Sequence, residues 1–259
     1  MLDSYEVFIQ SIYGLTKIDL NSYKERQMKR RIDALISKRG ISSYSDYVLK
    51  LQSDKAAYEE FINYITINVS EFFRNPEQWV ILEKEILPYL FGHFGHSLKI
   101  WSAACSTGDE PYSLVMLLSK FKPLSKIKIY ATDIDNLVME KAKIGLYHVK
   151  SLKTLPGEFI KKYFTQINDK TYQISDMVKQ CVEFKQHDLL LDPYLPDCDL
   201  IVCRNVLIYF TDEAKNKIYG DFQRALKKDA ILFVGSTEQM IQASKLGFIN
   251  FKSFFYKKL

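Results

Sequence analysis

Two neighbouring acids, Asp109 and Glu110, close a run of tiny side chains, Ser102-Ala103-Ala104-Cys105-Ser106-Thr107-Gly108, and are followed by Pro111-Tyr112-Ser113. Carboxylates at such a place repel phosphate and attract an ammonium. The run has Gly108 alone and neither G-x-G-x-x-G nor G-x-x-x-x-G-K, the spacings that wrap backbone N–H groups round a pyrophosphate or triphosphate. A nucleoside ligand with a cationic end and no phosphates satisfies both conditions, and S-adenosylmethionine (SAM) is of that kind. The plainer alternative is an ordinary strand-to-helix turn capped by an acid. Another acid pair, Asp133-Ile134-Asp135, follows the strand-like stretch 126–132, where a carboxylate can accept from both hydroxyls of a ribose. Arg74, beside Phe72 and Phe73, has no arginine neighbour until Arg204. It is either a packed surface arginine or a positioned anion receptor.

Such residues need a frame of alternating strands and helices. Ser97-Leu98-Lys99-Ile100 reads as a short buried strand entering the turn, and Leu114 to Leu118 as the apolar start of a helix, with Pro111 suited to its first position. Residues 126–132 form a second strand and 136–146 a helix. Val182-Glu183-Phe184 and Asp199 to Cys203 are further strands, Asp212 caps a helix to Lys228, Ala230 to Val234 is a later strand, and 248–256 a closing hairpin. This alternation predicts an α/β, doubly wound, Rossmann-like sheet with its ligand beyond the strand ends. Residues 155–187 break the rhythm. Tyr163 to Ile167, a polar Asn168-Asp169-Lys170 turn and Thr171 to Ile174 predict a small antiparallel β insert.

The N-terminal part reads differently. Apolar Met28, Ile32, Leu35 and Ile36 stand at helical spacing after Asn21-Ser22, with Glu25 placed for a capping box and Gly40 as a stop. Ser43 caps a helix with Tyr44, Tyr47, Val48 and Leu51, and another carries Ala57, Phe61, Ile62 and Ile65. A small all-α domain over 1–67, followed by a second domain over 68–259, is the expected division. Between 24 and 39, Lys24, Arg26, Lys29, Arg30, Arg31, Lys38 and Arg39 outnumber Glu25 and Asp33 by as much as the net charge of the whole chain, +5. That basic face is either a solvated surface or a dock for an acidic partner.

With 259 residues, 47% of them hydrophobic, and no apolar run near the roughly 18 residues of a spanning helix, the chain reads as soluble and globular. Met1-Leu2-Asp3-Ser4-Tyr5-Glu6 lacks the basic start and apolar core of a signal peptide. Cys105, Cys181, Cys198 and Cys203 form no C-x-x-C pair, so free thiols in a reducing cytoplasm are expected and no metal site. His93 and His96, between glycines, read as loop residues.

Four segments together resemble one family. Asn68-x-Ser70-x-Phe72-Phe73-Arg74, the run Trp101 to Ser113, Thr132-Asp133-Ile134-Asp135 and Cys203-Arg204-Asn205-Val206-Leu207-Ile208-Tyr209-Phe210 match, in order and spacing, the CheR-type chemotaxis receptor methyltransferases. The resemblance covers essentially the whole chain. It implies a protein-glutamate O-methyltransferase that uses SAM, yields S-adenosylhomocysteine (SAH), and esterifies glutamates on the cytoplasmic helices of chemoreceptors for sensory adaptation. It further implies cofactor contacts at Asn68, Ser70, Arg74, Glu110, Asp133, Asp188, Leu189, Asn205 and Val206: Glu110 on the methionine ammonium, Asp133 on the ribose, Asp188 and Leu189 on the adenine. Ser70 stands where many relatives have threonine, Asp109 where many have glutamate and Asp188 where some have asparagine; each keeps an equivalent oxygen.

Arg74 and Tyr209 are the expected catalytic pair, Arg74 aligning the reactants and Tyr209 offering a hydroxyl on the acceptor side. Tyr209, flanked by Ile208 and Phe210, is otherwise a core aromatic. Arg26, Arg30, Arg31 and Lys38 are the expected receptor-docking residues. The resemblance implies a monomeric cytoplasmic enzyme recruited to membrane receptor arrays, with no membrane insertion and no nucleic acid. A nucleic-acid methyltransferase would need a pocket for a flipped base, and Arg204-Asn205-Val206-Leu207 is no Asn-Pro-Pro-Tyr element. A non-catalytic SAM-binding adaptor would have no use for Arg74 and Tyr209. One branch of the family grips a pentapeptide at the receptor's C-terminus with arginines of the insert. No arginine lies between Arg74 and Arg204 and no glycine between Gly157 and Gly220, so that tether is expected to be missing.

Overall fold

The computed structural model describes residues 4–259 and divides into two compact units, one of residues up to Asn68 together with Val206–Lys217, the other of Val69–Asn205 and Ile218–Leu259. Met1-Leu2-Asp3, part of the acidic start read above, lies outside the described residues. No helix among the described residues is long and apolar enough to cross a membrane.

The first unit holds α1 (Tyr5–Thr16), α2 (Glu25–Lys38), α3 (Tyr44–Ser53) and α4 (Lys55–Ile65). Their apolar stripes meet in a core containing Phe8, Ile12, Ile32, Ile36, Tyr47 and Phe61. Ser43 caps α3 by accepting the Asp46 N–H at 3.0 Å, and Asp54 caps α4 by accepting that of Ala57 at 3.1 Å. The capping box expected for α2 does not form. Asn21 and Ser22 sit in a 3₁₀ turn whose capping acid is Asp19, and α2 starts after Lys24 without a side-chain cap.

Val206–Lys217 clusters with these helices rather than with the sheet. The cause is a short antiparallel bridge between Tyr23 and Phe210, whose rings stand 4.6 Å apart. The Lys24 N–H donates to the Tyr209 carbonyl at 2.8 Å, and the Thr211 N–H to that of Ser22 at 2.9 Å. Within the expected 68–259 stretch, Val206–Lys217 thus makes its contacts with the helices of the first unit.

The second unit is built on a seven-stranded sheet of β1 (Ile100–Ser102), β2 (Ile129–Asp133), β6 (Val182–Gln186), β7 (Cys198–Cys203), β8 (Leu226–Val234), β9 (Phe248–Lys252) and β10 (Phe255–Lys258). Their spatial order is β6-β2-β1-β7-β8-β10-β9. The first five run parallel and β10 runs antiparallel to both neighbours. The order reverses between β1 and β7, so the crevice beyond their carboxyl ends is where such a sheet takes a ligand. Helices α7 (Asp109–Leu118), α8 (Asn136–Ile144) and α11 (Asp212–Ala225) follow strands β1, β2 and β7. Ahead of the sheet, α5 (Pro76–Ile81) continues through a π turn at Leu82–Ile86 into α6 (Leu87–Phe94). The helix passes Pro88 because the wider turn lies where proline has no N–H to give.

Several boundaries differ from the expected ones. Ser97 to Lys99 lie before β1, and Trp101 and Ser102 belong to the strand, because the Trp101 ring is fully buried with its Nε1–H on Thr132 Oγ1 at 3.0 Å. Leu226 to Lys228 extend β8 instead of α11, since Leu226 pairs with Cys198. The insert is a three-stranded sheet ordered β3-β5-β4, with β3 (Leu146–His148), β4 (Phe164–Asn168) and β5 (Thr171–Ile174). It therefore begins earlier than 155, and Val182–Gln186 belongs to the main sheet. Two short helices, α9 (Gly157–Tyr163) and α10 (Asp176–Lys179), flank the hairpin. The four cysteines are free and buried, and His93 lies in α6.

Candidate active site

Beyond the carboxyl end of β1 the chain is held by backbone pairing to both neighbours. The Ala103 N–H donates to Val202 O at 2.8 Å and the Cys105 N–H to Thr132 O at 2.9 Å. It then turns through Ser106 at φ +45° and Gly108 at φ +86° into α7. A side chain at 108 is excluded, since its Cβ would lie 2.8 Å from Ala142 Cβ and 2.9 Å from Tyr112 Cε2. Asp109 turns inward at 1% exposure, and burial pushes its carboxyl up to about 6 against hydrogen bonds from Thr107 and Ser70. The Asp109 carbonyl accepts from Ser113 Oγ at 2.6 Å, and Ser113 Oγ accepts the Phe73 N–H at 3.1 Å. That chain of bonds sets the 70–75 segment against the start of α7.

Ser70, Arg74, Ser106, Glu110, Arg204 and Asn205 line one cleft. Glu110 accepts from Ser102 Oγ at 2.8 Å and has Arg204 Nη1 3.7 Å from its other oxygen. Burial raises its pKa while Arg204 and Ser102 oppose the rise. Arg204 is 6% exposed, and its Nη2 donates to Arg74 O at 2.8 Å, Gln78 Oε1 at 2.8 Å and Asn75 Oδ1 at 3.2 Å. Its guanidinium lies 4.7 Å from the centre of the Phe233 ring. Removing such a buried partner costs roughly 3 to 5 kcal/mol, because Glu110 would keep an uncompensated charge. Arg74 is half-buried, with Nη1 donating to Val69 O at 3.3 Å. Phe73, Asn75, Ser106 and Asn205 all have positive φ without being glycine, a concentration of backbone strain at one site.

Asp133, at the end of β2, accepts the Ser106 N–H on one oxygen at 2.8 Å and the Asp135 N–H on the other at 3.0 Å. A third backbone N–H, that of Ile134, also bears on this carboxylate. Burial pushes this carboxyl up to about 6. The neighbouring strand end is tied in by the His187 N–H on Asp133 O at 3.0 Å, which brings Asp188 and Leu189 beside it. Asp188 also shapes its own loop, accepting the Leu190 N–H at 2.7 Å. Asn68, Val206 and Tyr209 belong to the first unit, where Asn68 Nδ2 donates to Thr66 Oγ1 at 2.8 Å.

Residues 68–255 match the family model described as CheR methyltransferase, SAM binding domain, and residues 3–66 match the all-alpha domain of CheR methyltransferase. The chain belongs to the CheR methyltransferase family. A chemotaxis protein methyltransferase of Listeria monocytogenes is 41% identical over 241 residues, 93% of this chain and 92% of that one. Its counterpart in Borreliella burgdorferi is 31% identical over 259 residues, 95% and 92% of the two chains. Chemotaxis protein methyltransferase 1 of Pseudomonas aeruginosa is 31% identical over 260 residues, 93% of each.

The donor set of this CheR methyltransferase suits SAM. Its cleft offers a buried carboxylate for an ammonium and small Ala104 and Ser106 walls, with no glycine in its lining, and the Asp133 carboxylate at the end of β2 holds the Ser106 N–H. In the sequence Arg204 has no role beyond its place in a motif; its signal is an arginine directly after the apolar run Leu200 to Cys203. Glu238, buried after β8, was missed altogether. The available hint was a repeated pattern, an apolar strand followed by small residues and an acid: Gly235-Ser236-Thr237-Glu238 here, Ser106-Thr107-Gly108-Asp109 after β1. In the basic helix, Arg26, Arg30 and Lys38 are exposed, whereas Arg31 turns inward. Its Nη2 donates to Tyr64 O at 2.6 Å and its guanidinium stacks 4.6 Å from the Tyr64 ring. Arg31 therefore serves the fold of the helical unit.

Proposed function

We propose that this chemotaxis methyltransferase esterifies glutamate carboxylates on the cytoplasmic helices of chemoreceptors. The observation that carries the reading is Arg74, half-buried on a cleft whose other arginine, Arg204, already faces Glu110 and whose lining also holds Glu71. A glutamate acceptor is ionised at neutral pH, needs no base, and is drawn by positive charge.

Bound SAM supplies an electrophilic methyl group on a sulfonium that leaves readily. The chain's own residues then bind and align. Glu110 would receive the methionine ammonium, Asp133 the ribose hydroxyls, and Asp188 and Leu189 would border the adenine. Ser70 and Asn205 would add further contacts from the same unit. Arg74 would orient the acceptor carboxylate. Positioning of this kind is worth on the order of 7 to 11 kcal/mol. Arg26, Arg30 and Lys38 form the face that meets glutamate-rich receptor helices.

The test is transfer of a radiolabelled methyl group from SAM to receptor-containing membranes. Label that is released as methanol by mild base, and lost when receptor glutamates are changed to alanine, is the expected result. Label retained after base treatment would overturn the reading.

A further inference from the structure

Asn205 lines the cofactor cleft in a left-handed conformation, φ +60°, which side-chain-bearing residues seldom adopt. It stands just beyond β7, whose last residue, Cys203, is in parallel register with Val234 at the end of β8. The corners beyond the two strands share one partner. Glu238 Oε2 accepts the Asn205 N–H at 2.5 Å and the Gly235 N–H at 2.9 Å, and the residue is 5% exposed. Its backbone is anchored in turn, with Tyr219 Oη donating to Glu238 O at 3.0 Å. Gly235 is what lets the carboxylate in, since a Cβ there would lie 2.4 Å from Glu238 Oε2 and 2.9 Å from the Asn205 nitrogen.

We infer that Glu238 is a positioning residue of the SAM site: its carboxylate clamps the backbone of Asn205 and so fixes that side chain as a wall of the cleft. A charged acceptor on two buried N–H groups is stronger than a neutral one, and it offsets the cost of the left-handed residue. The clamp acts chiefly through Asn205 and touches no reacting atom, while its charge also bears on Glu110 and Arg204 and raises the pKa of each. It rests on the assignment of this cleft to SAM.

Calorimetric titration of SAH into the full chain tests it, with Glu238→Ala, Asn205→Ala and the double variant. Loss of the acceptor leaves two buried N–H groups unpaired, so Glu238→Ala should weaken SAH binding about tenfold or more. Asn205→Ala should do much the same, and the double variant should be within roughly threefold of the weaker single one, because both remove a single device. Glu238→Gln, which keeps an oxygen at the same reach, should restore most of the affinity, and in turnover its effect should fall on KM for SAM and not on kcat. If Glu238→Ala fails to fold, the cycle is run with Glu238→Gln. Losses that multiply in the double variant, or unchanged affinity in Glu238→Ala, would overturn the clamp alone. A wild-type chain that binds no SAH would overturn the SAM assignment as well.

Discussion

Asp133 shows how much one buried carboxylate has to reconcile. Its ordinary value is 3.8 and burial raises it to about 6, so the folded protein holds this proton more tightly than the unfolded chain does. The stability it contributes is present below pH ~4 and lost as pH rises through ~6. Asp133→Asn removes that loss, so the thermal midpoint of the ligand-free variant should gain on wild type as pH is raised from ~4 to ~7. Ribose hydroxyls donate to the ionised form, so SAH affinity of the wild type should rise over the same interval, and calorimetry at several pH values checks it. A flat affinity would remove Asp133 from the ribose. Arg74 calls for a different measurement. If it aligns the acceptor, Arg74→Ala should lower kcat far more than SAH affinity, and Arg74→Lys should rescue poorly for want of a planar fork. Equal losses in both would make it a binding residue. Ser70, Arg74, Glu110 and Asn205, distant in the sequence, line one cleft; the pattern before Glu238 marks an acid beyond a strand but does not say that the fold buries it.

The turn between β1 and α7 was legible in kind because tiny residues between an apolar strand and an apolar helix have few other uses. Gly108→Ala meets both a left-handed backbone and a Cβ clash, and it should lower the thermal midpoint and SAH affinity together. Retained affinity would show that the turn can shift without disturbing the cleft. The strand boundary before β8 was not legible. Ala225-Leu226-Lys227-Lys228 continues a helical pattern, and only the pairing of Leu226 with Cys198 makes it a strand. β3 was missed because a strand of Leu146–His148 is too short to show a period. The amphipathic stripe of α2 was plain, while the inward turn of Arg31 depends on Tyr64, which no local pattern announces. Changing exposed Arg26 and Arg30 to glutamate should raise KM for receptor and leave SAH affinity alone, and added salt should raise the wild-type KM. A salt-independent KM would return this face to the solvent.

The insert and the divided first unit are properties of the whole chain. The insert's hairpin turns at Asp169 and Lys170, and Lys179 is already paired with Asp176 at 2.7 Å. With no arginine from 75 to 203, a receptor tail carboxylate would find no bidentate partner there. Titration of the tail pentapeptide should give no heat at millimolar concentration, and receptors without the tail should still be methylated; micromolar binding would contradict this. The α/β alternation made the sheet legible, but the exchange of Val206–Lys217 between units rests on backbone groups of Ser22 and Lys24, which carry no side-chain signal. That exchange bears on the order of events during synthesis. Tyr23 and Lys24 leave the ribosome early, yet the segment that bridges to them is translated only after β1, β2, the insert and β7. The helical unit, though first made, has to wait for most of the chain before it is whole.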